Sequence, residues 1–330
     1  MNKIIGLTGS IPKNEWSHNA AYNKIWGRIL NVDVQMGDAD YSGVDTAYVC
    51  MDINYSGGLN LFGGANEQLY NRLKEFCDFR AKGGKAVMLD HSIPDLGKML
   101  EGRLDNKTTF EGFDMNFLQH LSAQCSKVET ITMPEVAEKE IVIGDSHSLS
   151  MAKEGVPVIR LDAKTLHGAI EEKDFILNLI PDGVEKVTLV FGSIDIRHHV
   201  LRFDYPVGIV RDLYTRYMKT CRDIILQKKV RVELATPLPV ESENRKMAKT
   251  TMYKGTPFYG SRNDRVDMTN LARETLKEMA VGEVVEYPSE WYDMPGEKFE
   301  TEIMERPQGV HIGYPNYRMN NFGKQTTALF

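Results

Sequence analysis

The sequence predicts a two-domain α/β protein, with a Rossmann-like first domain and a flavodoxin-like parallel-sheet second domain. Short apolar runs alternate with longer amphipathic segments, which is the pattern of buried parallel strands and their crossover helices. At 330 residues the chain is long for one hydrophobic core. A polar stretch over 127–139, with Pro134 in its middle, is a predicted domain junction. The predicted parts are residues 1–130, residues 138–318 and a polar tail over 319–330.

The first domain is predicted from strands and helices that alternate along the chain. The predicted strands cover 4–7, 46–51 and 85–90, and the predicted helices cover 19–30, 65–81 and 113–124. In the first of these helices, Tyr22, Ile25, Trp26 and Ile29 recur at helical spacing and share one face. Alternation of this kind is typical of a parallel sheet.

The second domain repeats this alternation. The predicted strands cover 140–144, 156–160, 187–191, 230–234 and 284–287, and the predicted helices cover 165–179, 208–227 and 263–279. Asn263 is the predicted N-cap of the last helix. A loop rich in proline and glycine then leads to His311.

The composition is that of an ordinary soluble globular protein, with 42% hydrophobic and 26% charged residues. No apolar run approaches the roughly 18 residues needed to cross a bilayer. The N-terminal segment reads as a first strand and not as a signal peptide, so a cytoplasmic location is expected. We predict no membrane partner.

The cysteines and the net charge bear on cofactors and partners. The four cysteines are far apart and predict neither a zinc knuckle nor a disulfide framework: Cys50, Cys77, Cys125 and Cys221. We predict no cofactor. The formal net charge of −6 argues against a protein whose whole surface binds nucleic acid, because such affinity comes from neutralising phosphates.

A glycine-rich stretch over 56–64 follows the second predicted strand. Its glycines could let the backbone approach a phosphate, although the spacing is not Gly-x-Gly-x-x-Gly and a flexible loop is the simpler interpretation. The segments that surround it are 40–45, the strand after them, Ile53-Asn54, Phe62-Gly63-Gly64, and Asp90 followed by Ile93-Pro94. Together they resemble the N-terminal half of phage DNA β-glucosyltransferases. This resemblance implies a DNA-modifying transferase or a nucleic-acid-binding protein as an alternative function.

A serine that follows a buried strand is the first candidate catalytic residue. The apolar run over 141–143 breaks at Gly144, and Ser146 follows at the predicted start of a helix. There the helix dipole and free backbone amides can stabilise an oxyanion, and a histidine from elsewhere can accept the hydroxyl proton. The alternative is that Asp145, Ser146 and Ser148 only cap the helix.

Two later stretches have the same form. The apolar run over 187–191 opens at Gly192 into the polar stretch 193–199, and His311 follows a charged loop. Ligands in parallel sheets gather where the strands end. We therefore expect the three stretches to meet, with Ser146 as nucleophile and His311 as base.

The motifs of these stretches also carry a family resemblance. In chain order they are Gly144-Asp145-Ser146-His147-Ser148, Phe191-Gly192-Ser193-Ile194-Asp195-Ile196-Arg197-His198-His199 and Gly309-Val310-His311. Over 138–315 the chain resembles the SGNH, or GDSL, hydrolase superfamily, and within it the bacterial and phage branch whose second motif reads Phe-Gly-Glu-Ile-Asp-Cys-Arg. The resemblance implies a hydrolase or acyltransferase acting on an ester.

The resemblance also implies roles for particular residues. Ser146 would be the nucleophile, with its amide as an oxyanion donor, and His311 would be the general base. The candidate oxyanion or substrate-binding residues are Gly168, Gly192, Ser193, Asp195 and Arg197. The candidate supporting residues are Asp145, His147, His198 and Gln308.

Three positions depart from the family pattern. Gln308 stands where the superfamily has the Asp that orients the catalytic His, Ile194 stands where it has an oxyanion Asn, and Ser193 replaces the Glu of the closer branch. Loss of an orienting carboxylate lowers the rate by orders of magnitude in well-studied triads. Glu305 and Asp293 are candidate replacements, and a catalytically silent binding module is an open alternative.

A metal-dependent phosphoesterase is a further alternative for the same residues. It would use Asp145, His147, Asp195, His198, His199 and His311 as ligands. The sequence lacks the other motifs of that class. The predicted partner is thus a small-molecule, carbohydrate or nucleotide ester, with nucleic acid less favoured.

Overall fold

The computed structural model describes residues 1–6, 16, 18–50, 67–90, 120, 123–124, 128–172, 174–242, 260–307 and 309–320. The chain divides into two compact units, Met1–Val136 and Ala137–Phe330. In the described part of the chain each unit has one five-stranded parallel sheet. The predicted α/β class is confirmed.

The first unit is built on the strand order β2-β1-β3-β4-β5. Its strands are β1 (Asn2–Gly6), β2 (Asp33–Val34), β3 (Thr46–Cys50), β4 (Lys85–Leu89) and β5 (Glu129–Ile131), and its helices are α1 (His18–Leu30) and α2 (Glu67–Ala81). The two units divide within the polar stretch 127–139, which also contains β5, a strand not predicted from the sequence. This edge strand has three residues, too few for an apolar period to show. The predicted helix over 113–124 and the glycine-rich stretch 56–64 lie largely outside the described residues.

Polar side chains at the end of the first sheet are held by the fold itself. Arg72 is buried and donates from Nε and Nη2 to the Gly6 carbonyl, at 3.0 and 2.9 Å. Asp90 follows β4 in a left-handed conformation and accepts hydrogen bonds from the Trp26 indole at 2.9 Å and the Met133 amide at 2.7 Å. Arg72 thereby binds the backbone carbonyl of Gly6 and Asp90 binds the backbone amide of Met133.

The second unit has the strand order β7-β6-β8-β9-β10. Its strands are β6 (Glu140–Asp145), β7 (Val158–Leu161), β8 (Lys186–Val190), β9 (Arg231–Ala235) and β10 (Glu283–Val285). Its helices are α3 (Leu166–Glu171), α4 (Phe175–Leu179), α5 (Ser193–His198), α6 (Pro206–Lys228), α7 (Arg262–Met279), α8 (Ser289–Tyr292) and α9 (Gly296–Glu302), with 3-10 turns at Ser146–Met151, Val200–Arg202 and Tyr314–Asn316. Numbered from its own first strand, this order is 2-1-3-4-5, the flavodoxin order. The point where the order reverses lies between β6 and β8.

Local sequence explains most element boundaries. Pro206 begins α6, where its missing amide hydrogen costs nothing, and Lys229 ends the helix in a left-handed conformation. The predicted Asn263 cap is wrong, since Ser261 caps α7 in a reciprocal capping box with Asp264. The predicted helix over 165–179 is the shorter pair α3 and α4. The main core of this unit comprises residues of the sheet together with α3, α4, α6 and α7.

At Gly144, strand β6 passes very close to β8. A Cβ there would lie 2.2 Å from the Val190 carbonyl oxygen, and that backbone is held in the sheet. We expect Gly144→Ala to lower the free energy of unfolding by about 1–3 kcal/mol, as overpacking does, measured by urea denaturation. Gly208→Ala is the control, because its methyl would meet only the ring of Tyr205, which is 70% exposed and can rotate. Equal losses in both variants would contradict the steric explanation.

The buried carboxylate of Glu233 on β9 makes the stability of the fold depend on pH. Its carboxylate is buried and bound by Arg318, by Lys186 at 3.0 Å and by Lys153 at 3.3 Å. Burial raises the pKa of Glu233, but the cations more than offset this and lower it to about 2. The ionised group therefore stabilises the fold fully above its unfolded pKa of 4.5, and this contribution is lost as the pH falls from there towards 2.

We expect Glu233→Gln to be less stable than wild type at pH 7 and to lose less further stability between pH 5 and 3. Urea denaturation across this range measures both effects. Replacement of the exposed Glu290 by Gln should leave the wild-type pH dependence unchanged. Parallel pH curves for wild type and Glu233→Gln would show that this carboxylate does not drive acid unfolding.

The described helices include none that combines enough length with enough apolar character to cross a bilayer.

Candidate functional site

The three polar stretches meet at the carboxyl end of the second sheet, as the sequence predicts. His147, directly after β6, has its Nε2 atom 2.8 Å from Nη1 of Arg197 in α5. The same Nε2 atom lies 3.0 Å from the carbonyl oxygen of Val310. Because β6 and β8 border the reversal of strand order, the meeting point is where open α/β sheets bind ligands.

Asp145 organises the turn that carries Ser146. Its Oδ1 atom accepts hydrogen bonds from the His147 amide and from His147 Nδ1, both at 2.8 Å. It is the N-cap of the 3-10 turn Ser146–Met151. A carboxylate only accepts, so the proton of the imidazole sits on Nδ1 and Nε2 accepts from Arg197.

His147 is neutral in this setting. Its side chain is buried, and burial lowers its pKa more than the neighbouring Asp145 raises it, with Arg197 and His311 lowering it further. A neutral ring with its proton on Nδ1 suits a carboxylate on one side and a guanidinium on the other. The turn and α5 are thereby tied together.

Arg197 also contacts the loop that follows β9. Arg197 Nε lies 2.8 Å from Oε2 of Glu241, and the two side chains are 2% and 0% exposed. We call Asp145, His147, Arg197 and Glu241 the buried polar chain. It joins the ends of three strands and sets their positions relative to one another.

Ser146 begins the turn beside this chain and is half-buried. Among the described residues its hydroxyl makes no hydrogen bond, in contrast to Ser150, which donates to the His147 carbonyl at 2.6 Å. A serine with an uncommitted hydroxyl and a backbone amide at the start of a turn can act as a nucleophile with an adjacent oxyanion donor.

His311 lies on the neighbouring loop and close to this turn. The His311 and His147 ring centroids are 5.5 Å apart, and the His311 side chain is buried. An antiparallel bridge between Met304 and Ile312 and a 2.9 Å hydrogen bond from the Glu305 amide to the His311 carbonyl hold the loop. His311 is therefore presented from a constrained backbone.

A carboxylate accompanies His311. Glu305 Oε1 lies 3.8 Å from His311 Nδ1, within ion-pair range and beyond direct hydrogen-bond length. Of the two replacements that the sequence leaves open, Glu305 thus lies beside the imidazole, whereas Asp293 is an exposed residue at the end of α8. Gln308 lies outside the described residues.

Two predicted substrate-binding residues serve the start of α3. Asp195 is buried and accepts from the amides of Leu166 at 2.7 Å and His167 at 3.0 Å. Burial raises the pKa of Asp195 to about 6, although these amide hydrogen bonds lower it. The Gly168 amide donates to Thr165 Oγ1 at 2.9 Å. The side chains of Asp195 and Thr165 thus cap the helix, and the Gly168 amide is committed to this cap.

The other predicted residues cluster at the end of β8. Gly192 has φ 104° and lies against the Tyr214 hydroxyl, so only glycine fits easily. Ser193 Oγ accepts from the Leu238 amide at 2.9 Å, which fastens α5 to the loop after β9. His198, at the end of α5, is buried.

The metal-dependent phosphoesterase alternative requires several of its predicted ligands to converge on one ion, and the structure does not group them in that way. Among the described residues no three His, Cys, Asp or Glu side chains are grouped to hold a metal ion. The physical reason is that Asp195 faces the amides of α3 while His147 is bound on both sides.

Sequence reasoning missed Glu241. It is completely buried, and its partner Arg197 stands 44 positions earlier in the chain (241 − 197). The available signal was an acidic residue directly after the apolar Leu238-Pro239-Val240 run, because buried acids require partners.

No protein-family profile and no curated protein matches the chain. Among solved structures, one similar protein is from Streptococcus pneumonia and is provisionally described as a platelet activating factor; it has 15% identity and a TM-score of 0.38, covering 55% of this chain and 81% of its own. A second has 12% identity and a TM-score of 0.35, covering 58% of this chain and 96% of its own. Similarity of this degree does not identify a shared activity.

Proposed function

We propose that this protein is an SGNH-like esterase or acyltransferase in which Ser146 is the nucleophile and His311 the general base. The observation that carries the proposal is the meeting of the Ser146 turn with the His311 loop where the strand order reverses, with Glu305 beside the imidazole. The proposed substrate is a small-molecule, carbohydrate or nucleotide ester.

In the proposed reaction the Ser146 hydroxyl attacks the ester carbonyl while His311 accepts its proton. The Ser146 amide donates to the negatively charged oxygen of the tetrahedral intermediate. His311 returns the proton to the departing alcohol, which leaves an acyl group on Ser146. Water, or a second alcohol, then attacks the acyl group with His311 again as base.

Glu305 and the buried polar chain position these groups. The Glu305 carboxylate stabilises the imidazolium that forms on His311. His147 donates from Nδ1 to Asp145, next to Ser146, and its ring lies 5.5 Å from the His311 ring, centroid to centroid, so it lies between the nucleophile turn and the base. Glu305 and His147 have positioning roles, because neither of their side chains needs to touch the substrate.

A fluorophosphonate probe tests the nucleophile. We expect labelling of wild type and complete loss in Ser146→Ala. Ser148→Ala is the matched control: this buried serine lies on the same turn, and its hydroxyl has no hydrogen-bond partner among the described residues, so its loss should leave labelling intact. A folded wild type that resists labelling would indicate a binding module instead of an enzyme.

A further inference from the structure

A cavity of about 430 Å³ is lined in part by Asp195, one of the predicted site residues, and its volume is within the usual range of small-ligand pockets. Loops after β7 and β8 and the first turns of α6 surround it. Its lining residues are Ala163, Thr165, His167, Asp195, His199, Val200, Phe203, Ile209, Asp212, Leu213 and Arg216. Neither Ser146 nor His311 is among them, so the cavity does not contain the reacting groups.

The walls of the cavity are mainly apolar. Val200 and Leu213 form a buried inner wall, Ile209 is half-buried, and Phe203 is 53% exposed. An apolar group that entered would leave water for a preformed hydrophobic surface, at about 25 cal/mol per Å² buried. The cavity therefore favours hydrocarbon.

The charges around the cavity disfavour an anion. Asp195 and Asp212 both line it, and Arg216, the one arginine among its described lining residues, is paired with Asp212 at 2.9 Å and with Glu171, so one guanidinium faces two carboxylates. Burial, with Arg202 and His167 nearby, lowers the pKa of His199, so this imidazole adds no positive charge at neutral pH. A free fatty acid would meet like charge here, whereas an uncharged group would not.

The position of the cavity relates it to the nucleophile. Strands β7 and β8, whose following loops line the cavity, lie on the two sides of β6, which ends at the Ser146 turn. Asp195 lines the cavity, while Arg197, two residues further along α5, belongs to the buried polar chain. One short helix thus borders both sites.

We propose that this cavity binds the apolar acyl group of a neutral ester whose carbonyl is attacked by Ser146. The inference rests on the proposed function and adds the substrate class: an uncharged ester with a medium-length hydrocarbon acyl chain. The apolar walls supply affinity for the hydrocarbon chain, and the acidic lining side chains disfavour a ligand that carries negative charge.

The first test compares 4-nitrophenyl acetate with 4-nitrophenyl octanoate. Ile209→Trp, which narrows the cavity, should lower kcat/KM for the octanoate about tenfold or more, the scale on which pockets discriminate hydrocarbon groups, and leave the acetate within about twofold. Leu226→Trp at the far end of α6, where Leu226 is 74% exposed, is the control and should change neither. Equal loss on both esters in Ile209→Trp would overturn the assignment.

The second test does not depend on catalysis. In Ser146→Ala, displacement of Nile red by 2-decanone, a neutral ketone that cannot be hydrolysed, measures binding to the cavity. We expect displacement, with clearly weaker binding when Ile209→Trp is added and weaker displacement by decanoate than by the ketone. Ketone binding without ester hydrolysis by wild type would reject the serine mechanism and keep the cavity. Hydrolysis of the octanoate with no effect of Ile209→Trp on rate or binding would reject the cavity and keep the mechanism.

Discussion

Replacing Arg197 with methionine is expected to lower the free energy of unfolding by about 3–5 kcal/mol, the cost of leaving a buried charge without its partner. Glu241, which is 0% exposed, would keep its carboxylate and lose the guanidinium 2.8 Å away. His147 would lose the donor to its Nε2 atom as well. Urea denaturation at neutral pH measures the change.

Two comparisons make this prediction specific. The double variant Arg197→Met and Glu241→Leu removes both charges and should recover much of the loss, which a double-mutant cycle would report as coupling. Lys139→Met breaks an exposed pair with Glu185, whose side chains are 76% and 61% exposed, and should cost less than about 1 kcal/mol. If the double variant were as unstable as the sum of its single variants, the pair would not be coupled.

Replacing His311 with alanine is expected to lower kcat for ester hydrolysis by about 10²–10⁴-fold, the usual contribution of a general base. KM should change little, because the base acts on the hydroxyl of Ser146 and not on substrate binding. Steady-state kinetics with 4-nitrophenyl acetate measure both constants, and circular dichroism verifies the fold. His120→Ala, an exposed histidine of the first unit, should match wild type.

Glu305→Gln should also lower kcat, by a smaller factor than His311→Ala. The 3.8 Å between Oε1 and His311 Nδ1 is longer than a hydrogen bond, so the carboxylate acts mainly through its charge. Glu305→Asp keeps that charge and should recover part of the rate, which a merely structural role would not predict. Full activity in the His311→Ala variant would exclude His311 as the general base.

The sequence predicted the parts of the fold that depend on local pattern. Continuous apolar runs located β6 and β8, because strands of a parallel sheet are buried on both faces. The polar stretches that follow these two runs and the His311 stretch after a charged loop were predicted to meet, because ligand sites gather where parallel strands end. Strands β2 and β5, of two and three residues, were missed because they are too short to show a period.

The sequence by itself thus determined the α/β class, the principal strands and the stretches that form the site, since each depends on the burial of a continuous segment. Only the tertiary structure decided which side chains serve that site. It placed Glu305 and not Asp293 beside His311, paired Arg197 with Glu241, and enclosed the cavity between the loops after β7 and β8 and α6. The physical reason is that an apolar period reports that a segment is buried, whereas contacts between distant residues depend on how the segments pack.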